Sequence, residues 1–396
     1  MQHWIEKANR YLLNTYRRPP VLFDHGEGAY LFDRNGPRYL DFIAGIGVSA
    51  LGYNHPLIQK AIQEASQKVI HTSNLYFTRP QIELAELLVS KTFDSRVFFA
   101  NSGSEAVETA LKVSRKWGKQ FQPERIKILA FEHSFHGRSM GAVSATYTEK
   151  YRKPFTPLIE GVEFLPFNDV TGLNDFDLSE FCCAIVEPIQ GEGGITPATP
   201  EFLSKLREKT KRADVALIFD EIQCGVARSG KLYAYQHTGI EPDILTTAKA
   251  LGAGFPISAA LIKPELADII NAGDHGSTFG GNPFVAHVAK TAFAYLSSDE
   301  FLSRLNAVAD YFHKKLTALQ TAYPAQIKAV KGMGLMKGLE VEIPVLNLVT
   351  HAFENRLLVA RAGENVLRFL PPLIIEKHHV DEAVTILDRI FKKEGA

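Results

Sequence analysis

The sequence predicts an α/β fold in which helices cover both faces of a large, mostly parallel sheet, together with a smaller α+β domain. Short apolar segments alternate with longer segments of helical periodicity through the middle of the 396-residue chain. This alternation is typical of parallel sheets, because parallel strands need a crossover connection between them. A formal net charge of zero, from 44 basic and 44 acidic residues, and a hydrophobic content of 45% indicate an ordinary globular protein.

Four short apolar segments have the length and composition of buried strands. They are Val97–Ala100, Ile126–Phe131, Ala184–Val186 and Val215–Phe219. Ligands of parallel sheets bind beyond the carboxyl ends of the strands. We therefore expect functional residues directly after these segments.

Helical periodicity accompanies the strands. The predicted helices are Pro56–Ile70, Pro80–Lys91, Ser104–Trp117 and Pro200–Arg212. Proline at a first helical position loses no hydrogen bond, since that N–H has no intrahelical acceptor. The glycine-rich start of the chain and the region beyond about residue 290 follow a different pattern. We expect a large domain at residues 51–290 and a small α+β domain built from residues 1–50 and 291–396.

Composition excludes several classes of function. Balanced charge provides no field that attracts nucleic acid or an anionic membrane. No segment approaches the roughly 18 apolar residues that span a bilayer, and the first residues lack the apolar core of a signal peptide. Cys182, Cys183 and Cys224 are too few for a secreted disulfide framework. We expect a cytoplasmic protein that binds neither nucleic acid nor membrane.

A helix start after the first strand has the features of a phosphate site. Ser102 and Glu105, in the sequence Asn101-Ser-Gly-Ser-Glu105, have the spacing of a capping box. Free N–H groups and the positive end of the helix dipole attract phosphate, and Gly103 allows a close approach to the backbone. An ordinary helix cap explains the same residues, so this motif alone leaves both interpretations open.

Two adjacent carboxylates, Asp220 and Glu221, follow the strand Val215–Phe219. Successive side chains of a strand point to opposite faces, so only one of the two can face a given ligand. A carboxylate there is able to hold a protonated ring nitrogen or a metal, or to form a structural ion pair. Neither an HExxH motif nor a cysteine cluster accompanies His133 and His136, so we expect no metal site.

Lys249 lies among small residues, including Ala248, Ala250 and Gly252, just after another apolar segment. A lysine in tight, largely apolar surroundings loses proton affinity and becomes a nucleophile. A lysine on a solvated turn is the plainer interpretation of this motif alone. The phosphate site, the strand-end carboxylate and the crowded lysine together match the needs of pyridoxal 5′-phosphate (PLP).

The chain resembles the class-III aminotransferases, which are fold-type-I PLP enzymes, over nearly its whole length. Within that family it is most similar to the N-acetylornithine aminotransferases. The stretches that carry the resemblance are NSGSEAVETALK, SFHGRSM, EPIQGEGG, FDEIQCG, AKALGAGFP, HGSTFGGNP and VLRFLPPL. The resemblance implies that Lys249 bonds covalently to PLP and that Asp220 pairs with its pyridine nitrogen. It implies further cofactor contacts from Gly103, Ser104, Phe135 and Gln223.

The resemblance also implies a homodimer with shared active sites. Thr278 would reach the phosphate held by the neighbouring subunit, with Ser277 beside the substrate. Arg138 would hold a substrate carboxylate, and Arg368 would bind the α-carboxylate of glutamate or 2-oxoglutarate. Glu192 would pair with Arg368 whenever the reacting amine is terminal.

The implied reaction moves the terminal amino group of N2-acetyl-L-ornithine to 2-oxoglutarate, giving N-acetyl-L-glutamate 5-semialdehyde and L-glutamate in arginine biosynthesis. Alternative donors are ornithine, 4-aminobutyrate, succinylornithine and succinyl-diaminopimelate. Ile46 stands where ornithine aminotransferases tend to have tyrosine, which favours a donor other than ornithine. Decarboxylation or amino-group migration on the same fold, and a non-catalytic PLP-binding scaffold, are further alternatives.

Overall fold

The computed structural model describes residues 2–34 and 36–394. Its helices are α1 Gln2–Tyr11, α2 Ala44–Gly47, α3 Pro56–Ser66, α4 Arg79–Ser90, α5 Gly103–Gly118, α6 Met140–Ser144, α7 Glu149–Arg152, α8 Val170–Asp175, α9 Pro200–Arg212, α10 Pro264–Ala267, α11 Pro283–Leu296, α12 Asp299–Ala322, α13 Val345–Glu354 and α14 Lys377–Glu394. Its strands are β1 Phe23–Glu27, β2 Tyr30–Asp33, β3 Arg38–Asp41, β4 Arg96–Ala100, β5 Lys127–Phe131, β6 Val162–Leu165, β7 Phe181–Val186, β8 Ile189–Gln190, β9 Thr196–Pro197, β10 Ala216–Asp220, β11 Ile244–Thr247, β12 Ser258–Ile262, β13 Ile327–Met333, β14 Met336–Val341, β15 Leu357–Leu358, β16 Ala360–Ala362 and β17 Val366–Phe369.

A large sheet in the order β4-β12-β11-β10-β7-β5-β6 forms the centre of the fold. The pairs from β11 to β6 are parallel, whereas β12 runs antiparallel to both β11 and β4. The predicted mostly parallel sheet is therefore confirmed. β12 is the exception because only a short 3₁₀ turn, Lys249–Gly252, and a brief loop separate it from β11. A connection of that length is too short for the crossover that a parallel neighbour needs.

The predicted strands and helices occur where the sequence places them, with small differences at their ends. The helix predicted to reach Ile70 ends earlier, at Ser66. The chain beyond it carries the β-branched, exposed side chains Val69 and Ile70, which have no buried face to stabilise another helical turn.

The carboxyl ends of three strands meet at one edge of the large sheet. β4 leads into α5, β10 ends at Asp220, and β11 leads into Lys249. Since β4 and β11 both pair antiparallel with β12, they run in the same direction as β10. The three sequence motifs therefore lie at the same edge, as predicted.

Two smaller sheets, in the orders β1-β2-β3-β15 and β13-β14-β17-β16, contain segments from the two ends of the chain. Pairing of β15 with β3 joins Leu357–Leu358 to the N-terminal hairpin. The two ends thus share one sheet, while the domain limits at residues 51 and 290 stay a prediction. Within residues 2–34 and 36–394, no helix is long and apolar enough to cross a membrane.

Gly118→Ala should destabilise the fold, because the end of α5 has no room for a side chain. A Cβ at Gly118 would lie 2.3 Å from the carbonyl oxygen of Arg125 and 2.7 Å from the Cβ of Cys182 on β7. Overpacking of this kind typically costs about 1–3 kcal/mol, and urea unfolding should show a loss of that size. Gly276→Ala is the matched control, since nothing lies within 4 Å of its added Cβ. Equal losses in the two variants would contradict this packing.

Candidate active site

Most of the predicted site residues line one cavity of about 460 Å³ at the carboxyl edge of the large sheet. They are Gly103, Ser104, Phe135, Arg138, Asp220, Gln223 and Lys249. The volume is in the range of small-molecule and cofactor sites. The structure therefore brings together residues that lie up to 146 positions apart in the sequence (Lys249 minus Gly103).

The N-terminus of α5 forms one end of this cavity. The predicted capping box is present: the hydroxyl of Ser102 accepts from the N–H of Glu105 at 3.3 Å, and the carboxylate of Glu105 accepts from the N–H of Ser102 at 2.9 Å. Helix geometry leaves the N–H groups of Gly103 and Ser104 without intrahelical acceptors. These two N–H groups are suited to an anion such as phosphate.

Gly103 is needed at this helix end for a steric reason. A Cβ at this position would lie 2.9 Å from Cδ1 of Ile222, which also lines the cavity. Ser104 contributes a hydroxyl that accepts from the N–H of Arg138 at 3.1 Å. The hydroxyl hydrogen of Ser104 is then available to donate toward a bound anion.

Lys249 lies at the start of a 3₁₀ turn directly after β11 and has a φ of 45°. A left-handed φ is uncommon for a residue with a side chain and recurs at functional sites. Burial lowers the pKa of Lys249 to about 8, although the nearby carboxylates Glu192, Asp220 and Glu187 act to raise it. The amine is therefore partly neutral near physiological pH and is able to act as a nucleophile or a base.

Asp220 is buried at the end of β10, where three groups fix its carboxylate. The Nδ1 atom of His136 lies 2.7 Å from Oδ2, and the N–H of Ile222 and the hydroxyl of Thr246 donate to Oδ1 at 3.2 and 3.1 Å. Glu221 points away from the cavity and accepts from the N–H groups of Ala234 and Tyr235. Of the two adjacent carboxylates, the structure selects Asp220 as the one that faces the cavity.

From the sequence, His136 is considered only as a metal ligand. Its contact with Asp220 is not predicted and is found only in the structure. Its ring is buried, and no hydrogen-bond partner for Nε2 exists among residues 2–34 and 36–394. In the part of the chain that the structure describes, no group of three or more His, Cys, Asp or Glu side chains is arranged to hold a metal ion. His136 instead orients the carboxylate of Asp220.

Glu187 is a second residue that the sequence reasoning missed. It follows β7 directly and lines the cavity, so the rule that functional residues follow buried strands would have found it. Its carboxylate accepts from the N–H groups of Phe135 at 2.9 Å and Gly191 at 3.1 Å. Burial raises the pKa of Glu187 to about 7. Glu187 thereby holds the backbone that carries the Phe135 ring.

Arg138 provides a cationic group at the mouth of the cavity. Its guanidinium carbon lies 3.7 Å from the ring centroid of Tyr151 and 5.5 Å from that of Phe135. The side chain is exposed, and among the described residues no carboxylate forms an ion pair with it. A guanidinium held against aromatic rings without a carboxylate partner is suited to binding an anionic substrate group.

Arg368 and Glu192 form an ion pair beside the cavity. Arg368 is buried on β17, and its Nη1 donates to Glu192 and, at 3.4 Å, to Oε1 of Gln223. Burial alone would raise the pKa of Glu192, but the charge and hydrogen bond of Arg368 outweigh it and hold the pKa below its ordinary value. Through Gln223, which lines the cavity, this pair is connected to the space around Lys249.

Ser277 and Thr278 do not line the cavity of their own chain. The hydroxyl of Ser277 accepts from the side-chain amide of Asn101 at 3.2 Å, and Asn101 does line the cavity. Thr278 lines two other clefts, one of which it shares with Asn101 and Ser277. Their predicted roles beside a substrate and at a neighbouring subunit's phosphate stay predictions.

The donor set fits PLP. A helix N-terminus is available for the phosphate, the Phe135 ring for one face of the pyridine, and the Asp220 carboxylate for a protonated ring nitrogen. The amine of Lys249 is suited to bonding with an aldehyde carbon. Each group enters the same cavity from a different element.

Comparison with known proteins agrees with this arrangement. The family profile described as "Aminotransferase class-III" matches residues 11–391. The acetylornithine aminotransferase of Caldanaerobacter subterraneus subsp. tengcongensis is 42% identical over 391 residues, covering 98% of this chain and 99% of that protein.

Two solved structures have the same fold as this chain. The ornithine aminotransferase of Toxoplasma gondii, with PLP partly occupying its active site, is similar at a TM-score of 0.92 and 31% identity, over 99% of this chain and 95% of that one. The N-acetylornithine aminotransferase of Stenotrophomonas maltophilia is similar at a TM-score of 0.85 and 33% identity, over 98% and 99% of the two chains.

Lys249 should react with acylating reagents at a much lower pH than ordinary lysines. Because burial lowers its pKa to about 8, the neutral amine accumulates as the pH rises through that value. Trace acylation of the cofactor-free protein across a pH series, quantified by peptide mass spectrometry, gives the midpoint for each lysine. The exposed Lys60 serves as the internal reference.

Glu192→Gln provides a second test of the same electrostatics. The negative charge of Glu192 raises the pKa of Lys249, so its removal should move the Lys249 midpoint to lower pH. Lys60 should not move. A Lys249 midpoint equal to that of Lys60, or one that moves upward in the variant, would contradict the electrostatics described for the cavity.

Proposed function

This chain belongs to the class-III aminotransferase family, and we propose that it transfers the terminal amino group of N2-acetyl-L-ornithine to 2-oxoglutarate. The products are N-acetyl-L-glutamate 5-semialdehyde and L-glutamate, a step of arginine biosynthesis. The observation that carries the reaction class is the joint placement of Lys249, Asp220 and the α5 N-terminus in one cavity. An amino acid and a keto acid are the substrates of an aminotransferase.

The cofactor is PLP, and we assign its contacts to residues that line the cavity. Gly103 and Ser104 bind the phosphate, Phe135 packs against the ring, and Gln223 contacts the phenolic oxygen. Asp220, held in place by His136, pairs with the pyridine nitrogen. When bound, PLP withdraws electrons from the substrate carbon that carries the amine, so that a proton can leave that carbon.

Lys249 carries out the proton transfer. With a pKa of about 8, its amine is neutral in roughly one molecule in ten at pH 7 and so is able to accept a proton from carbon. Once protonated, the same ammonium group is able to return the proton at a second position. The nearby carboxylates keep the pKa from falling further, which preserves its ability to act as a base.

Two arginines allow the site to accept two unlike substrates in turn. Arg138 binds a carboxylate of either substrate at the cavity mouth. While Glu192 neutralises Arg368, the cavity accepts a terminal amine that brings no carboxylate near the reacting carbon. When Glu192 moves away, Arg368 binds the α-carboxylate of glutamate or 2-oxoglutarate.

N2-acetylornithine is the donor that the observations favour among the alternatives. Relatives of that name match nearly the full chain at 41–44% identity. Ile46, an apolar residue with 45% exposure in the turn Ala44–Gly47, offers no hydroxyl to a free α-amine of ornithine. 4-Aminobutyrate, succinylornithine and succinyl-diaminopimelate are the donors against which this choice has to be tested.

We further propose a homodimer in the cytoplasm. The apolar side chains Leu75, Phe77 and Phe279 are 85%, 95% and 59% exposed. Asn74 connects their two segments by donating to the carbonyls of Ser277 and Gly280 at 2.9 and 3.1 Å. An exposed apolar surface of this kind beside Thr278 favours burial against a second subunit.

Three free, buried cysteines suit a reducing compartment.

A visible spectrum of the PLP-loaded protein tests the proposed donor. N2-acetylornithine, added without a keto acid, should remove the absorbance band of the lysine-bound cofactor, and 2-oxoglutarate should restore it. Ornithine, 4-aminobutyrate and the succinylated donors should act at least about tenfold less efficiently, which corresponds to 1.4 kcal/mol of discrimination. Lys249→Ala should form no such band and should lack turnover.

The outcomes separate the alternatives. A band that persists with N2-acetylornithine but disappears with 4-aminobutyrate would replace the donor and keep the reaction class. Release of carbon dioxide, or failure of 2-oxoglutarate to restore the band, would point to a chemistry other than transamination. No band after addition of PLP would refute the proposed function and favour a non-catalytic scaffold.

Subunit mixing tests whether active sites are shared. If Thr278 serves the neighbouring site, Thr278→Ala should weaken activity and Lys249→Ala should abolish it. A mixed dimer of the two variants contains one site in which both Lys249 and the contributed Thr278 are native. Mixing after mild dissociation should therefore raise the activity above the mean of the two variants.

Ser303→Ala mixed with Lys249→Ala is the control, since Ser303 lies on α12 outside the cavity. That mixture should show only the activity of the Ser303 variant diluted by inactive subunits. Absence of any gain in the Thr278 mixture, with subunit exchange confirmed by mass spectrometry, would contradict shared sites.

A further inference from the structure

The side chain of Arg228 is fully buried, and no role has been assigned to it above. It follows β10 by eight residues, within the segment that connects β10 to β11. Its Nη1 donates to the carbonyl of Pro371 at 2.6 Å and to that of Leu335 at 3.2 Å. Pro371 follows Arg368 by three residues, so Arg228 holds the segment that leaves the substrate-binding strand β17.

A second contact holds the same segment from the opposite side. The N–H of Leu370 donates to the carbonyl of Phe42 at 2.7 Å, directly after Asp41 on β3. The carboxylate of Asp41 is buried and is the charge that acts on Arg228 in the folded protein. Arg228 therefore lies where the end of β17, the end of β3 and the segment after β10 come together.

Asp41 also stabilises an unusual turn at the cavity. Its Oδ1 accepts from the N–H groups of Ile43 and Ala44 at 2.7 and 2.9 Å, and its Oδ2 accepts from the hydroxyl of Tyr53 at 2.6 Å. The short element that follows, α2 (Ala44–Gly47), is a left-handed turn, since its φ angles lie between 49° and 80° throughout. Left-handed backbone costs about 1–2 kcal/mol for each residue with a side chain, so this turn needs such support.

The turn ends next to Val48, which lines the cavity. Asp41 thus sets the position of one wall of the substrate space, and Arg228 sets the position of the segment behind Arg368. No ion pair joins Asp41 and Arg228 within residues 2–34 and 36–394, so the two charges attract each other only at longer range.

Burial of the Arg228 guanidinium is unfavourable if the only role of the residue is to stabilise the fold. Its Nε and Nη2 atoms have no hydrogen-bond partner among the described residues. Burial of a guanidinium that is only partly paired is unfavourable, and an apolar residue of similar volume often stabilises a fold as well or better. A charged residue at this buried position is therefore better explained by the geometry of its hydrogen bonds than by stability.

We propose that Arg228 is a positioning residue for dicarboxylate recognition, which fixes the backbone beside Arg368 through its hydrogen bond to the carbonyl of Pro371. The proposal rests on the proposed function, because it takes Arg368 as the site of the glutamate or 2-oxoglutarate α-carboxylate. Arg228 itself touches neither cofactor nor substrate. It acts by keeping the Arg368 guanidinium where a carboxylate can reach it.

Glutarate binding to the PLP-loaded protein tests this role, since glutarate is a dicarboxylate that cannot react. Calorimetry should show about tenfold or greater weakening in Arg228→Met, the size expected when a charged hydrogen-bonding group is lost. The KM for 2-oxoglutarate should rise by a similar factor. The rate at which N2-acetylornithine removes the visible band at saturation should change much less, because Glu192 neutralises Arg368 in that half-reaction.

Arg304→Met is the matched control. Arg304 on α12 donates to the carbonyls of Leu373 and Ile374, which lie further from the end of β17 along the same segment than Pro371 does. It should lose stability, measured as Tm, while binding glutarate within about twofold of wild type. Arg228→Lys keeps the charge without the planar fork and should fall between wild type and Arg228→Met.

Glutarate binding that is unchanged in Arg228→Met, or equally weakened in Arg304→Met, would overturn the proposal. Where Arg228→Met fails to fold, wild-type affinity in Arg228→Lys would do so. The reaction of the wild-type protein with glutamate separates this inference from the proposed function. Its failure would refute the function itself, whereas an active wild type beside an unaffected Arg228 variant refutes only the role of Arg228.

Discussion

The pairing of β10 with β11 is the constraint on which the site depends. It places Asp220 opposite Thr246, so that Lys249 emerges only three residues further along the neighbouring strand. The sheet thereby holds an acid and an amine in one partly apolar space, where burial lowers the pKa of Lys249 to about 8 and the surrounding carboxylates limit that fall. A flexible loop could bring the same residues together, but it would not keep this balance of desolvation and charge.

The remaining parts of the site approach this strand pair from three directions. The N-terminus of α5 supplies unpaired N–H groups, the segment around Glu187 fixes Phe135, and β17 supplies Arg368. β17 belongs to one of the small sheets, so Arg368, the proposed site of the α-carboxylate, lies on a different sheet from the one that carries Lys249 and Asp220. This division is the reason why we propose that the buried link of Arg228 to Pro371 affects binding.

The sequence predicts the parts of this site that depend on local patterns. Buried strands, the capping box of Ser102 and the residues after β10 and β11 are encoded within a few positions of one another. His136 was missed because its partner Asp220 lies 84 residues away, and no local pattern pairs them. The left-handed turn at Ala44–Gly47 was not predicted either, since alanine and isoleucine do not favour it and the support comes from the Asp41 side chain. Thr278 lies outside the cavity of its own chain, and its role at a neighbouring subunit stays a prediction.

Identification of the lysine that binds PLP tests the central claim most directly. Borohydride treatment of the PLP-loaded protein makes the bond between lysine and cofactor permanent, and peptide mass spectrometry then locates it. The account predicts one phosphopyridoxyl group per chain, on the peptide that contains Lys249. A label on another lysine, or labelling at several surface lysines without Lys249, would contradict the assignment of this cavity as the active site.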